Sequence, residues 1–140
     1  MTTSEDKIIT DETILRQISK PTTWDEVNEL NLVNRLREAN KTSWTKGCGL
    51  AAIQIGIPLR FAWFVFQEKE YTLLNPEIIM EMGKITQKEG CLSVPNKWEE
   101  VERSYEIEYL SDGKKKRAKG FKARIVQHEI GHMDGKILGK

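Results

Sequence analysis

The sequence predicts an α+β fold in which short antiparallel or mixed β-sheets pack around a helix near the C-terminus, with a further helix near the N-terminus. Three observations predict it: a helical apolar period early in the chain, an aromatic and β-branched middle, and a return to helical spacing at the end. The 140 residues suit one compact domain spanning residues 1–140. A chain of that size buries roughly 70% of its unfolded surface, enough for a core without disulfide staples.

The first helix is expected from about Trp24 to Asn40. Thr23-Trp24-Asp25-Glu26 reads as a capping box, in which the Thr23 hydroxyl and the Glu26 carboxylate cover orphan N–H groups. Behind it Val27, Leu30, Val33 and Leu36 recur at near-helical spacing. Thr42 to Gly49 reads as a loop of small and polar residues. Arg60 to Phe66 and Tyr71 to Leu74 read as strands around the charged turn Gln67-Glu68-Lys69-Glu70. Pro76 and Gly83 punctuate the stretch after Leu74. Val101 to Leu110 alternates in part, and Ser111-Asp112-Gly113 marks a turn. At the end Val126, Ile130 and Met133 define one apolar helix face, with Gly135 as a stop.

Charged residues make up 31% and hydrophobic residues 39%, with a formal net charge of +1. That balance predicts a soluble protein with no DNA or membrane partner. The longest apolar run, Phe61 to Phe66, is far too short for a bilayer span. Met1 to Thr10 has no apolar signal region. The expected compartment is a cytoplasm, bacterial or, for a virus-encoded chain, that of the host, and a monomer is expected. Cys48 and Cys91 then read as free thiols or ligands rather than a bridge.

The most informative segment is His128-Glu129-Ile130-Gly131-His132. Residues four apart on a helix differ by about 40° in angle and roughly 6 Å along the axis. Both imidazoles can converge on one cation at about 2.0–2.1 Å, if it is zinc. Glu129 then stands where a general base would reach an activated water. The alternative is a surface helix that happens to carry two histidines. Two features oppose it: the apolar face shows that the helix is packed, and these are the 2 histidines of the whole chain. A catalytic site of this type takes three protein ligands. The third is expected mainly from upstream, as a thiolate from Cys48 or Cys91 or as one of many carboxylates. Composition does not choose between the two cysteines, and a buried apolar role is the commoner fate of a lone cysteine.

Three segments in this order resemble the peptide deformylase family. They are Gly47-Cys48-Gly49-Leu50-Ala51-Ala52-Ile53-Gln54, Glu89-Gly90-Cys91-Leu92-Ser93, and Gln127-His128-Glu129-Ile130-Gly131-His132. The resemblance implies hydrolysis of the formyl group from N-formylmethionine on nascent polypeptides, releasing formate. It implies that Cys91, His128 and His132 hold one divalent metal, iron(II) physiologically, with zinc, nickel or cobalt as substitutes. Glu129 would act as general base and then acid. The Gln54 amide and the Leu92 backbone N–H would face the developing oxyanion. Gly47 and Gly49 would allow a tight approach between this loop and the substrate backbone, plain turn glycines being the alternative, and Gly49 would pair with the peptide in strand fashion. Cys48, Phe121 and Ile125 would wall a methionine pocket, with Glu89 and Arg124 nearby. For Phe121 and Ile125, plain core packing is the competing explanation.

The sequence departs from the family pattern at several points. Ile53 stands where many members have proline. Gly131 replaces a common aspartate, so support for the histidines must come from elsewhere. Trp98 stands where many bacterial members carry a basic residue near the substrate. Bacterial members usually continue past the HExxH segment into a further helix, whereas 8 residues follow His132 here. A tail-borne ribosome contact is therefore not carried over. Lys114, Lys115, Lys116, Arg117 and Lys119 read as a solvated hairpin end, with a weak contact to ribosomal RNA as the sharper alternative.

Two rival functions share these residues. An HExxH metalloprotease would need a long cleft on both sides of the scissile bond, which a chain this short does not favour. A non-catalytic binder of N-termini would not need Glu129 and Gln54.

Overall fold

The computed structural model describes residues 6–41 and 48–140. Most of the expected loop, including Gly47, lies outside them. After α1 (Glu12–Leu15), the early helical period forms two helices, α2 (Trp24–Glu29) and α3 (Leu32–Lys41), not one. The Thr23 hydroxyl accepts from the Glu26 N–H at 3.2 Å, as the capping pattern requires, and the Glu26 carboxylate accepts from the Thr22 hydroxyl at 2.6 Å. The break falls at Asn31, whose φ of 56° is left-handed; asparagine tolerates that region better than branched residues. Packing explains the break. An unbroken helix would carry the Val27 face on through Asn31 and Asn34. The interruption instead turns Leu32, Leu36 and Ala39 into the core that holds Val27.

The strands form two three-stranded antiparallel sheets among the described residues. The first contains β1 (Gly49–Ala51), β2 (Phe61–Phe66) and β3 (Lys69–Leu74). The turn between β2 and β3 is tighter than the sequence suggested: Gln67 and Glu68 alone make it, both with positive φ, the geometry a two-residue hairpin needs. The second sheet contains β4 (Glu77–Cys91), β5 (Val94–Ser111) and β6 (Lys114–Lys119). Gly83 does not end a strand. It adopts φ 72° within β4, and the ladder to β5 continues past it. The turn at Asp112-Gly113 has positive φ at both positions, as that dipeptide predicts.

The last helix, α4 (Gly120–Met133), carries the His128–His132 segment. Its Ala123, Val126, Ile130 and Met133 share a core with Ala51, Ala62, Phe64 and Leu73 of the first sheet and Ile107, Tyr109 and Ala118 of the second. Both sheets thus meet on this helix. The chain then turns at Gly135, φ 78°, where a Cβ would lie 2.5 Å from the Arg16 carbonyl oxygen.

Candidate metal centre

The β4–β5 ladder shifts register just before Cys91: Gly90 pairs with Trp98, but Cys91 pairs with Val94. A bulge of this kind re-aims the next side chain. The Cys91 thiol is buried and lies 3.4 Å from His132 Nε2, which lies 3.2 Å from His128 Nε2. The three donor atoms fall within 4.8 Å of one another. Tetrahedral zinc with ordinary bond lengths would separate sulfur from nitrogen by roughly 3.5 Å and the nitrogens by roughly 3.3 Å. The donor set and its spacing therefore fit one divalent ion. Of the two cysteines, Cys91 joins the histidines; Cys48 is exposed at the cleft edge.

The charges around the cluster follow from burial. Glu89 lies behind His128 and accepts its Nδ1–H at 3.0 Å. A carboxylate cannot donate, so this bond fixes the proton on Nδ1 and leaves the Nε2 lone pair toward the cluster. Glu89 also receives two hydrogen bonds from Arg103, at 2.9 and 2.8 Å, and one from Arg124. Burial opposes charge on Glu89, but Arg103 and then His128 hold its carboxyl well below the usual range. Burial likewise opposes charge on His128, yet Cys91 and Glu89 raise it, so positive charge at its Nε2, whether a proton or a cation, is favoured. His132 is driven well below the ordinary imidazole value by burial and by the neighbouring His128. Burial raises Glu129 to about 7, against the pull of His128. Glu129 Oε1 and His132 Nδ1 are buried without a hydrogen-bond partner among the described residues.

A cleft of about 280 Å³ opens beside the cluster. Gln54, Leu92, Glu129, Cys48, Gly49, Glu89, Phe121 and Ile125, the other residues singled out in the sequence, all line it. Gln54 is buried on the turn Ala52–Ile55, where its Oε1 accepts from the Ala51 N–H at 3.0 Å. That bond aims the amide nitrogen at Ser93 Oγ, 3.1 Å away, and at Cys91 Sγ, 3.6 Å away. Burial, and then the charge of Glu129, raise the Cys48 thiol. Ile125 is buried and belongs to the core as well as the cleft, whereas Phe121 is exposed at the lip, tilted against Phe66.

The structure adds to two sequence readings. Gly49 makes a close approach to β2: a Cβ there would lie 2.5 Å from Phe64 Cβ and 2.6 Å from the Trp63 carbonyl oxygen. Glu89 lines the cleft with both oxygens already engaged by Arg103, Arg124 and His128. Arg103 and the hydrogen-bonding role of Ser93 were not foreseen. Ser93 lies in the Glu89–Ser93 segment, so its position was visible there. Nothing local marks Arg103, because it meets Glu89 only through the β4–β5 hairpin.

A fold of two antiparallel sheets around one helix, with a thiol and two imidazoles beside a buried carboxylate, defines an α+β protein of the metal-dependent hydrolase class. The chain belongs to the polypeptide deformylase family, whose sequence profile matches residues 6–139. It is 38% identical over 143 residues to the peptide deformylase of Elusimicrobium minutum, covering 91% of this chain and 81% of that one. The crystal structure of peptide deformylase from Thermotoga maritima superposes with a TM-score of 0.85 at 30% identity, covering 98% of this chain and 95% of that one. A class I type b peptide deformylase from Acinetobacter baumannii, solved with Met-Ala-Ser bound, gives a TM-score of 0.83 at 26% identity, covering 98% of this chain and 96% of that one. The family is metal-dependent and removes the N-formyl group from nascent polypeptides. No described helix is long and apolar enough to cross a membrane.

Proposed function

We propose that this chain, acting as one domain, hydrolyses the formyl group of N-formylmethionyl polypeptides at the cluster of Cys91, His128 and His132. The observation that carries the reading is the convergence of those three donors beside Glu129, a buried carboxyl with an unpartnered oxygen. A divalent ion held there would polarise the formyl carbonyl and lower the pKa of a water beside it toward about 7. Iron(II) is the proposed physiological ion, with zinc, nickel and cobalt able to use the same donors.

The chain's own groups supply the rest. Glu129, raised to about 7, suits a group that takes a proton from the attacking water and returns it to the leaving amine. Gln54 Nε2, already turned toward Cys91, and the Leu92 N–H are proposed to receive the charge that develops on the formyl oxygen. Gly49 lies on β1 at the cleft wall, where an extended peptide can add as a strand without side-chain selectivity. Ile125, Phe121 and Cys48 are the proposed apolar wall for methionine.

The enzyme is proposed to work as a monomer in a cytoplasm. The basic hairpin is read as a solvated edge, because Arg117 meets Glu106 and Glu108 and Lys115 meets Glu108. A weak ribosome contact is the alternative, and unchanged low-salt co-sedimentation after replacing Lys114, Lys115, Lys116, Arg117 and Lys119 with glutamine would exclude it. Formate release from formyl-Met-Ala-Ser by anaerobically purified protein tests the central reading, because an iron-bound thiolate is open to oxidation. Release is expected. Cleavage of an internal peptide bond without formate release would point to a protease instead.

A further inference from the structure

The mouth of the cleft holds an aromatic surface that the hydrolytic chemistry does not use. Trp98 lines the cleft with Leu92, Val94 and Lys97, yet it is 67% exposed. It stands directly across the ladder from Gly90, the residue before Cys91. A Cβ on Gly90 would lie 3.0, 3.0 and 3.1 Å from three consecutive carbons of the indole six-membered ring. Near-equal distances mean that the ring's face, not its edge, covers the glycine. One side of the indole is thus laid against backbone, and the ring's remaining surface faces the cleft mouth. A lone exposed apolar side chain needs no explanation. This one differs in two ways: a glycine admits the ring against the strand, and the ring stands one ladder position from the thiol.

We propose that Trp98 is a specificity-determining residue, an aromatic shelf for apolar or aromatic side chains in the first residues downstream of methionine. The inference rests on the reading that Cys91, His128 and His132 mark the reaction centre. An extended peptide advances roughly 3.3 Å per residue. A substrate with its formyl end at Cys91 therefore comes within reach of Trp98 in its next two or three residues. Lys97, held by Glu99 at 2.9 Å, and Lys88 line the cleft as well, so the indole supplies the aromatic surface of a mouth whose other side chains include two lysines. Stacking on a ring face needs no hydrogen-bond match, so the shelf grades substrates without excluding any.

The test compares kcat/KM for formyl-Met-Ala-Ser, formyl-Met-Phe-Ser and formyl-Met-Ala-Phe with the wild-type protein, Trp98→Ala and Trp98→Phe. Calorimetric affinities for the corresponding deformylated peptides are measured alongside. The wild type is expected to favour at least one phenylalanine peptide by about three- to tenfold. That ratio should fall near one in Trp98→Ala and largely return in Trp98→Phe, with the change in KM rather than kcat. Equal kcat/KM for all three peptides in the wild type, or a preference that survives Trp98→Ala, overturns the shelf and leaves deformylation standing. Phenylalanine-selective binding without turnover of any formyl peptide supports the shelf and overturns deformylation. Neither turnover nor peptide binding overturns both. Should Trp98→Ala fail to fold, Trp98→Gln takes its place, with the same loss of the preference expected and its survival overturning the shelf.

Discussion

Glu89 accepts the Nδ1–H of His128 at 3.0 Å while Arg103 grips both of its oxygens from the other side. A surface residue could not hold an imidazole this way. Glu89 is buried, and the two arginines keep its carboxylate charged. Glu89→Gln should therefore weaken metal retention by about 10- to 100-fold, the usual effect of losing a carboxylate behind a histidine ligand. Competition with a chelator measures it. Unchanged affinity would mean that His128 is oriented by something else.

Glu129 has an oxygen that no described group satisfies. Glu129→Gln keeps the shape and removes the base. Turnover should fall by about 10²- to 10⁴-fold, with metal content unchanged. Near-normal kcat in a fully loaded variant would remove Glu129 from the chemistry.

Gly49 is held against β2 by contacts that leave no room for a methyl group. Gly49→Ala must push apart β1 and β2, and overpacking of this kind costs about 1–3 kcal/mol. Thermal unfolding should show a loss of several degrees. An unchanged Tm would show that β1 can slide away freely.

Asn31 separates α2 from α3 at a left-handed φ. Asn31→Gly should be close to neutral, whereas Asn31→Val should lose about 1–2 kcal/mol from the steric clash of a Cβ-branched residue there. Urea unfolding of the two variants checks this. Equal stability would mean that the junction can rejoin as continuous helix.

Legibility in the sequence followed the range of the interactions. His128, Glu129 and His132 could be read because helical spacing alone places them. Cys91 could not be separated from Cys48 by residue type, since its position depends on the bulge after Gly90. Arg103 was invisible because its partner lies across a long hairpin. The length of β4 was hidden because residues 81–88 are exposed, so no apolar alternation marks them and Gly83 looked like an end. The Asn31 break was masked because Leu30, Leu32 and Val33 look like one apolar run. The Asp112-Gly113 turn, set by two adjacent residues, was read correctly.

Metal content of anaerobically purified wild type, Cys91→Ser and Cys48→Ser is the most direct measurement. Wild type and Cys48→Ser should each carry about one ion per chain, as expected of a three-ligand site, and Cys91→Ser should lose or exchange it. Equal content in the two cysteine variants would mean that sulfur from β4 is not a ligand, and the assigned centre would be wrong.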